Sequence, residues 1–338
     1  MSAWSGIKVL AGENKSVKLN PMNELSNPHS ACPIVAQEDI NHQTRTFVPE
    51  ILPDNQIDPF HIYETATVGP VVLSVPHGGW QYPQSLVTTD NLKRCVSLTD
   101  TGTAELGTML AGSSFPVLIA SCGRAACDLN RSQDALDALL CAKADVPVPI
   151  SFRPYVAAGY GVIPRLSADR QPLYERVLEK AQWRDILNNW HVPYHRILAD
   201  LLHLARLHHE NVFLIDLHSM PDNPSRKSLF PATSRRLPDF VFGNLHGATM
   251  TQNTVGLINT VMEKTRFSWH WNTPYAGGYI TRHYGLNSEE DKLNPPVEVL
   301  QIEVNRRLYT TKNFRLNDDR IRAVNQVIKL IINTLSVN

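Results

Sequence analysis

Residues 211–221 read NVFLIDLHSMP. The apolar run Val212–Ile215 is too short for a helix and is bounded by polar chain, so it reads as a strand buried on both faces. It then turns polar at Asp216 and His218, two residues apart and so on one side of an extended chain. Working outward, three more stretches have the same character: VGPVVLSVPHGG at 68–79, FPVLIASCG at 115–123 and VEVLQIEVNRRLY at 297–309. Between them lie helical patterns. DTGTAELGTMLA covers 100–111, and Thr249–Glu263 and Asp318–Leu335 follow later. The stretch 174–209 repeats apolar residues at helical spacing, and Pro193 predicts two helices there or one kinked helix. Strands alternating with helices predict an α/β fold with a mostly parallel or mixed central sheet flanked by helices.

The chain has 338 residues and is 43% hydrophobic, enough for one large core. Residues 1–55 are polar and broken by Asn, Pro and Ser, so they read as an extension, poorly ordered or loosely packed on a single body spanning 56–338. DVPVPISFRPYVAAGYGVIPR at 145–165 and NTPYAGGYITRHYG at 272–285 read as irregular loops, the first long enough to line a site. Lys+Arg and Asp+Glu balance at 32 each, which argues against a nucleic-acid or acidic-membrane partner. Five cysteines without a CxxC pair read as reduced thiols, and no stretch has the length of a signal peptide or a membrane span. A cytoplasmic protein acting on a small molecule is the expectation; oligomeric state is not legible.

Sites in open α/β sheets gather beyond the carboxyl ends of the strands. That rule selects His77 after the first strand, Arg124, Asp128, Asn130 and Arg131 after the second, Asp216 and His218 at the third, and Glu303 in the fourth. Two histidines and a carboxylate with an open position form a catalytic zinc set, a further carboxylate can move protons, and arginines bind oxyanions and carboxylates. Each residue also has a plainer reading: a hydrogen-bonded strand-end histidine, a turn Asp128, a capping Asn130, a surface ion pair for Arg131. Glu303 resists one, because a carboxylate in the apolar run VLQIEV is costly to bury unless it is paired or functional. His61, His191, His203, His208 and His209 are assigned to surface or core.

SVPHGG (74–79), Thr99–Asp100, RAACDLNR (124–131), GVIPR (161–165), PYH (193–195), IDLHSMP (215–221), PYAGGYITRHYG (274–285) and LQIEVNR (300–306) occur in the order of one family. Together, over residues from about 70 to 310, they resemble the N-formylglutamate amidohydrolases. The resemblance implies a zinc-carboxypeptidase-like fold and release of formate from N-formyl-L-glutamate, the last step of one histidine degradation route. It implies one zinc ion on His77 and His218, with Glu303 as general base and Arg124 stabilising the oxyanion. Asn130 and Arg131 are then implied to bind substrate, with Asp128 orienting their loop. Carboxypeptidase-type enzymes take their carboxylate ligand from HxxE, but that position is Trp80 here. Asp100, in the shared Thr-Asp element, is the choice for the third ligand; the competing reading is an N-cap for a helix starting at Thr101. Arg282 and His283 either bind a second substrate carboxylate or sit in a tight turn and an edge strand. Two rival functions stay open: a deacylase or carboxypeptidase-like hydrolase for a larger acyl or peptide group, and a non-catalytic relative that binds an acidic ligand.

Overall fold

The computed structural model describes residues 44–45, 48–65, 67–111, 115–142, 154–222, 236–286, 296–311 and 315–337. Pro33–Asn338 forms one compact unit. In chain order its first half holds β1 (Thr44–Arg45), β2 (Glu50–Leu52), β3 (Phe60–Tyr63), β4 (Val71–Val75), β5 (Gln81–Pro83), α1 (Thr89–Val96), α2 (Thr103–Leu110), β6 (Val117–Ala120) and α3 (Pro154–Ala157). The second half holds α4 (Lys180–Ile186), α5 (Val192–Arg206), β7 (Val212–Met220), β8 (Phe240–Gly243), α6 (Gln252–Glu263), β9 (Trp269–Trp271), α7 (Tyr279–Tyr284), β10 (Val297–Asn305), β11 (Leu316–Asn317) and α8 (Asp318–Ser336).

Seven strands form the central sheet in the order β3-β6-β4-β7-β10-β8-β9. The four apolar strands read from the sequence are its parallel centre, β6-β4-β7-β10. The sheet is mixed, because β3 joins β6 and β8 joins β10 antiparallel. Those outer strands are short, and β3 and β9 are only partly buried, so they lack the continuous apolar run that marks the centre. Every residue of β4 and β7 is buried, which requires cover on both faces. On one face α2 packs so closely that a Cβ on its Gly107 would touch Val75 and Ile119 at 3.0–3.1 Å, and α8 donates from Asn325 to the Leu106 carbonyl of α2. On the other face lie α5, with Tyr194 Oη 2.9 Å from Ser74 Oγ, and α7, with Thr281 Oγ1 3.5 Å from Gln301 Oε1.

That second face changes character along its length. In register across three strands, Val72, Leu214 and Val299 lie in the apolar core, and the next layer is Ser74, Asp216 and Gln301. One step further His218 stands opposite Glu303. The strand halves nearest their amino ends supply the core and their carboxyl ends supply polar groups, all projecting from one side by the period-2 alternation of strands.

Several expectations meet the structure differently. Residues 180–206 are one continuous helical run in which Leu187–His191 forms a π turn just before Pro193. The wider turn accommodates the missing proline N–H without a break. The stretch expected as a loop at 272–285 contains α7, which is six residues long, flanked by Gly278 and Gly285 and held by tertiary contacts rather than by propensity. Residues 1–43 and 145–153, parts of the expected extension and long loop, lie outside the described residues. Glu50–Leu52, at the end of the expected extension, pairs in parallel with β5, and β1 pairs with β11. No described helix is long and apolar enough to cross a membrane.

Candidate metal centre

His77 leaves the end of β4 in a two-glycine turn whose tight approach is demanded by geometry. A Cβ on Gly79 would meet the Cys122 carbonyl oxygen at 2.2 Å. The backbone N–H of Asp100 donates to the His77 carbonyl at 3.0 Å, so the two segments are tied before their side chains meet. The helix after Asp100 begins at Thr103 and is capped by Gly102 in the left-handed region (φ 88°), where a Cβ would also strike Tyr309. The capping alternative for Asp100 therefore falls. Its carboxylate turns inward instead, with Oδ2 3.0 Å from His218 Nδ1 and 3.4 Å from His77 Nδ1.

These three side chains are buried, and one donor atom from each lies within 4.8 Å of the others. The opposite nitrogen of each ring is held by a carboxylate. His77 Nε2 lies 2.7 Å from Asp128 Oδ1, and His218 Nε2 lies 2.9 Å from Asp216 Oδ2. That leaves Nδ1 of His77 buried with no hydrogen-bond partner. A buried orphan nitrogen facing a carboxylate and a second imidazole fits a metal-ligand set whose carboxylate partners fix ring orientation. The group could hold one metal ion.

Electrostatics agree. Burial by itself would raise Asp100, but the His218 and His77 imidazoles beside it hold it well below the usual carboxylate range. Asp128 is likewise lowered, because Arg124 and His77 outweigh its burial. His218 is raised well above an ordinary histidine, with Asp216 and Asp100 overcoming the cost of desolvation, so a cation at this position is favoured. Glu303 behaves oppositely: burial pushes it up to about 7, partly offset by His218. Gln301 Nε2 donates to Glu303 Oε1 at 3.0 Å and fixes its rotamer.

The predicted residues divide as follows. His77, Asp100, His218 and Glu303 converge. Arg124 joins them through Nε to Asp128 Oδ2 at 3.0 Å, and its NH1 lies 3.8 Å from Asp100 Oδ1. Asn130 is buried and fully engaged: Nδ2 donates to Asp216 Oδ2 at 3.4 Å, and Oδ1 accepts from the Ile280 N–H at 2.8 Å. It thus braces Asp216, which in turn holds His218 Nε2. Arg131 donates to the carbonyls of Asn130 and Tyr160 and stacks over Tyr155 at 4.6 Å. Arg282 is exposed on α7, and no described ion pair joins it to the centre.

Three groups escaped sequence reading. Arg306 lies 3.6 Å from Asp100 Oδ1 and donates to Ser219 Oγ at 3.0 Å. The neighbouring Arg307 turns away to Asp222 and Asp239, and nothing in "NRR" distinguishes the two. Tyr275 is raised by burial and by Glu303, which puts its phenol near the site. His191 and His195 reach the loop that carries Asp128; the PYH stretch was the available signal, without a role.

Fold and site together define a mixed α/β protein with a buried two-histidine, one-carboxylate centre at its parallel strand ends, beside a carboxylate of raised pKa. The chain belongs to the N-formylglutamate amidohydrolase family, whose model matches residues 69–310. It is 26% identical over 274 residues to the N-formylglutamate deformylase of Pseudomonas aeruginosa, covering 79% of this chain and 92% of that one. The Pseudomonas putida enzyme of the same name matches to the same extent. The crystal structure of N-formylglutamate amidohydrolase from Ralstonia eutropha superposes with a TM-score of 0.70 at 27% identity, covering 83% of this chain and 97% of that one. A gene product of Agrobacterium tumefaciens, 15% identical with a TM-score of 0.59, shares the fold over 85% of this chain and 99% of its own.

Proposed function

We propose that this protein is a zinc-dependent amidohydrolase that releases formate from N-formyl-L-glutamate. The observation that carries the reading is the double relay in which Asp128 and Asp216 hold the Nε2 sides of His77 and His218 while both Nδ1 atoms face Asp100. His77, Asp100 and His218 would hold the ion. When bound, zinc supplies a Lewis acid for the scissile carbonyl and a lowered pKa for the attacking water.

The chain's own residues do the rest. Glu303, held up to about 7 by burial, is poised to take a proton from water near neutral pH and to pass it to the departing amine nitrogen. The amide C–N bond breaks, the new C–O bond remains in formate, and glutamate leaves. Arg124 has its Nε committed to Asp128, which orients the guanidinium for the developing oxyanion. Arg131 and Arg282 are assigned to the two carboxylates of the substrate, a pairing that suits bidentate guanidinium chemistry. Asn130 is assigned to positioning His218. The reading also takes the sheet as zinc-carboxypeptidase-like, residues 1–55 as an extension to a body spanning 56–338, and the protein as a cytoplasmic enzyme of small molecules. Among the described residues, four free and buried cysteines support that location.

The test is formate release from N-formyl-L-glutamate by the purified chain, before and after chelation and zinc restoration. Formate that vanishes on chelation and returns with zinc supports the reading. A folded, zinc-loaded protein that releases acetate or succinate from the corresponding N-acyl amino acids, and no formate, overturns the acyl assignment. A zinc-loaded protein inert to all three overturns the hydrolase.

A further inference from the structure

Asp128 to Arg131 form a turn closed by the Arg131 N–H on the Asp128 carbonyl at 3.2 Å, with the Asn130 N–H on Asp128 Oδ1 at 2.9 Å. From this one turn Asp128 reaches His77, and Asn130 Nδ2 donates to Asp216, the carboxylate that holds His218 Nε2. The orientation of both imidazoles therefore depends on where the turn sits. The Asn130 carbonyl accepts from Arg131 and the Tyr279 N–H, and the other two carbonyls point to helix α5 and to the π turn before it. The Leu129 carbonyl accepts from His195 Nε2 at 2.9 Å, and the Arg131 carbonyl accepts from His191 Nε2 at 2.8 Å. A carbonyl only accepts, so both rings carry their proton on Nε2. Burial lowers both histidines, with each other's charge a further cause for His195, so both stay neutral donors through the physiological range. The two rings sit one turn apart with centroids 4.4 Å apart, and Tyr284 Oη lies 3.1 Å from His195 Nδ1. Neither ring touches the three-residue centre.

We propose that His191 and His195 are positioning residues of the His77–Asp100–His218 centre: their Nε2–H groups fix the turn from which Asp128 and Asn130 orient the two ligand imidazoles. The π turn at Leu187–His191 belongs to the device, because it sets the phase of His191 on the helix just before His195. A glutamine can present an amide N–H near the place of a histidine Nε2, and a leucine cannot. That contrast separates donation from packing.

The inference rests on the metal reading for one of its two readouts only. The first readout is zinc affinity of the full chain by chelator competition, for His191→Leu, His195→Leu, His191→Gln and His195→Gln, with thermal unfolding of the metal-free forms alongside. The second is the downfield imidazole N–H resonances of His77 and His218 in metal-free, 15N-histidine-labelled protein, which report the bonds to Asp128 and Asp216. Leucine variants are expected to bind zinc about tenfold more weakly and to lose or broaden both resonances, while glutamine variants stay within about twofold and keep them. Folded leucine variants with unchanged resonances, or with zinc affinity within about twofold of the parent, overturn the proposal. So do glutamine variants that fall as far as leucine. If the leucine variants do not fold, the glutamine variants decide: retained resonances support positioning and lost ones refute it. If no form binds zinc, the metal reading fails, and the resonances still decide this one.

Discussion

Glu303 stands opposite His218 in the parallel register of β10 and β7, so a carboxylate that burial pushes up to about 7 faces a histidine raised well above its ordinary range. Two adjacent strands of fixed register thereby set the carboxylate proposed as acid–base group against a histidine of the candidate metal centre without help from any loop. Glu303→Gln keeps shape and hydrogen bonding but cannot take a proton. Deformylation is expected to fall by about 10²–10⁴ in kcat with zinc content unchanged. Metal analysis alongside steady-state rates checks this, and near-parental turnover in the zinc-loaded variant would refute the assignment.

Burial of the same carboxylate has a cost that depends on pH. The folded value is above the unfolded one, so the protonated form is favoured in the folded state. Stability from this group is complete below about pH 4.5 and declines as pH rises through about 7. The loss is about 3 kcal/mol in the metal-free protein. Urea midpoints of metal-free parent and Glu303→Gln should therefore agree near pH 4.5 and diverge by pH 8, with the variant the more stable. Parallel curves would show that Glu303 does not titrate in this window.

Gln301 donates to Glu303 Oε1 and so favours the ionised form. Gln301→Leu should move the acid limb of kcat/KM upward by about one pH unit while the rate on the plateau changes little. A pH–rate profile reads both. A uniform drop at all pH values would assign Gln301 to packing alone.

Asp128 and Asp216 hold Nε2 of His77 and His218, the two histidines of the candidate metal centre. Asp128→Asn and Asp216→Asn are each expected to weaken zinc binding by about 10- to 100-fold. Chelator competition measures it, and unchanged affinity in both would remove the relay.

Gly278 lies where a Cβ would stand 2.3 Å from Asn130 Nδ2. Gly278→Ala must push Asn130 away from Asp216, and kcat/KM should drop by at least about tenfold with little loss of thermal stability. Asn130→Ala in the same background should then add almost nothing, because the contact is already gone.

The four central strands were legible because a parallel strand buried on both faces is mostly apolar, and Val71–Leu73, Val117–Ala120 and Val212–Ile215 are wholly so, while Val297–Val304 is apolar apart from Glu298, Gln301 and Glu303. The polar residues at their ends, His77, His218 and Glu303, were legible for the same reason, since a charged group there is costly without a task. Asp100 was suggested as a ligand by the family resemblance of its Thr-Asp element, and as an N-cap by its place before a helix. Only the tertiary structure showed its carboxylate facing two rings that are 23 and 118 positions away in sequence rather than capping the helix. Asn130 as a strut, Arg306 rather than Arg307 beside Asp100, and α7 in place of a loop were likewise decided in three dimensions. Each follows from contacts between distant segments, and neither composition nor periodicity encodes which side of a short turn faces the centre.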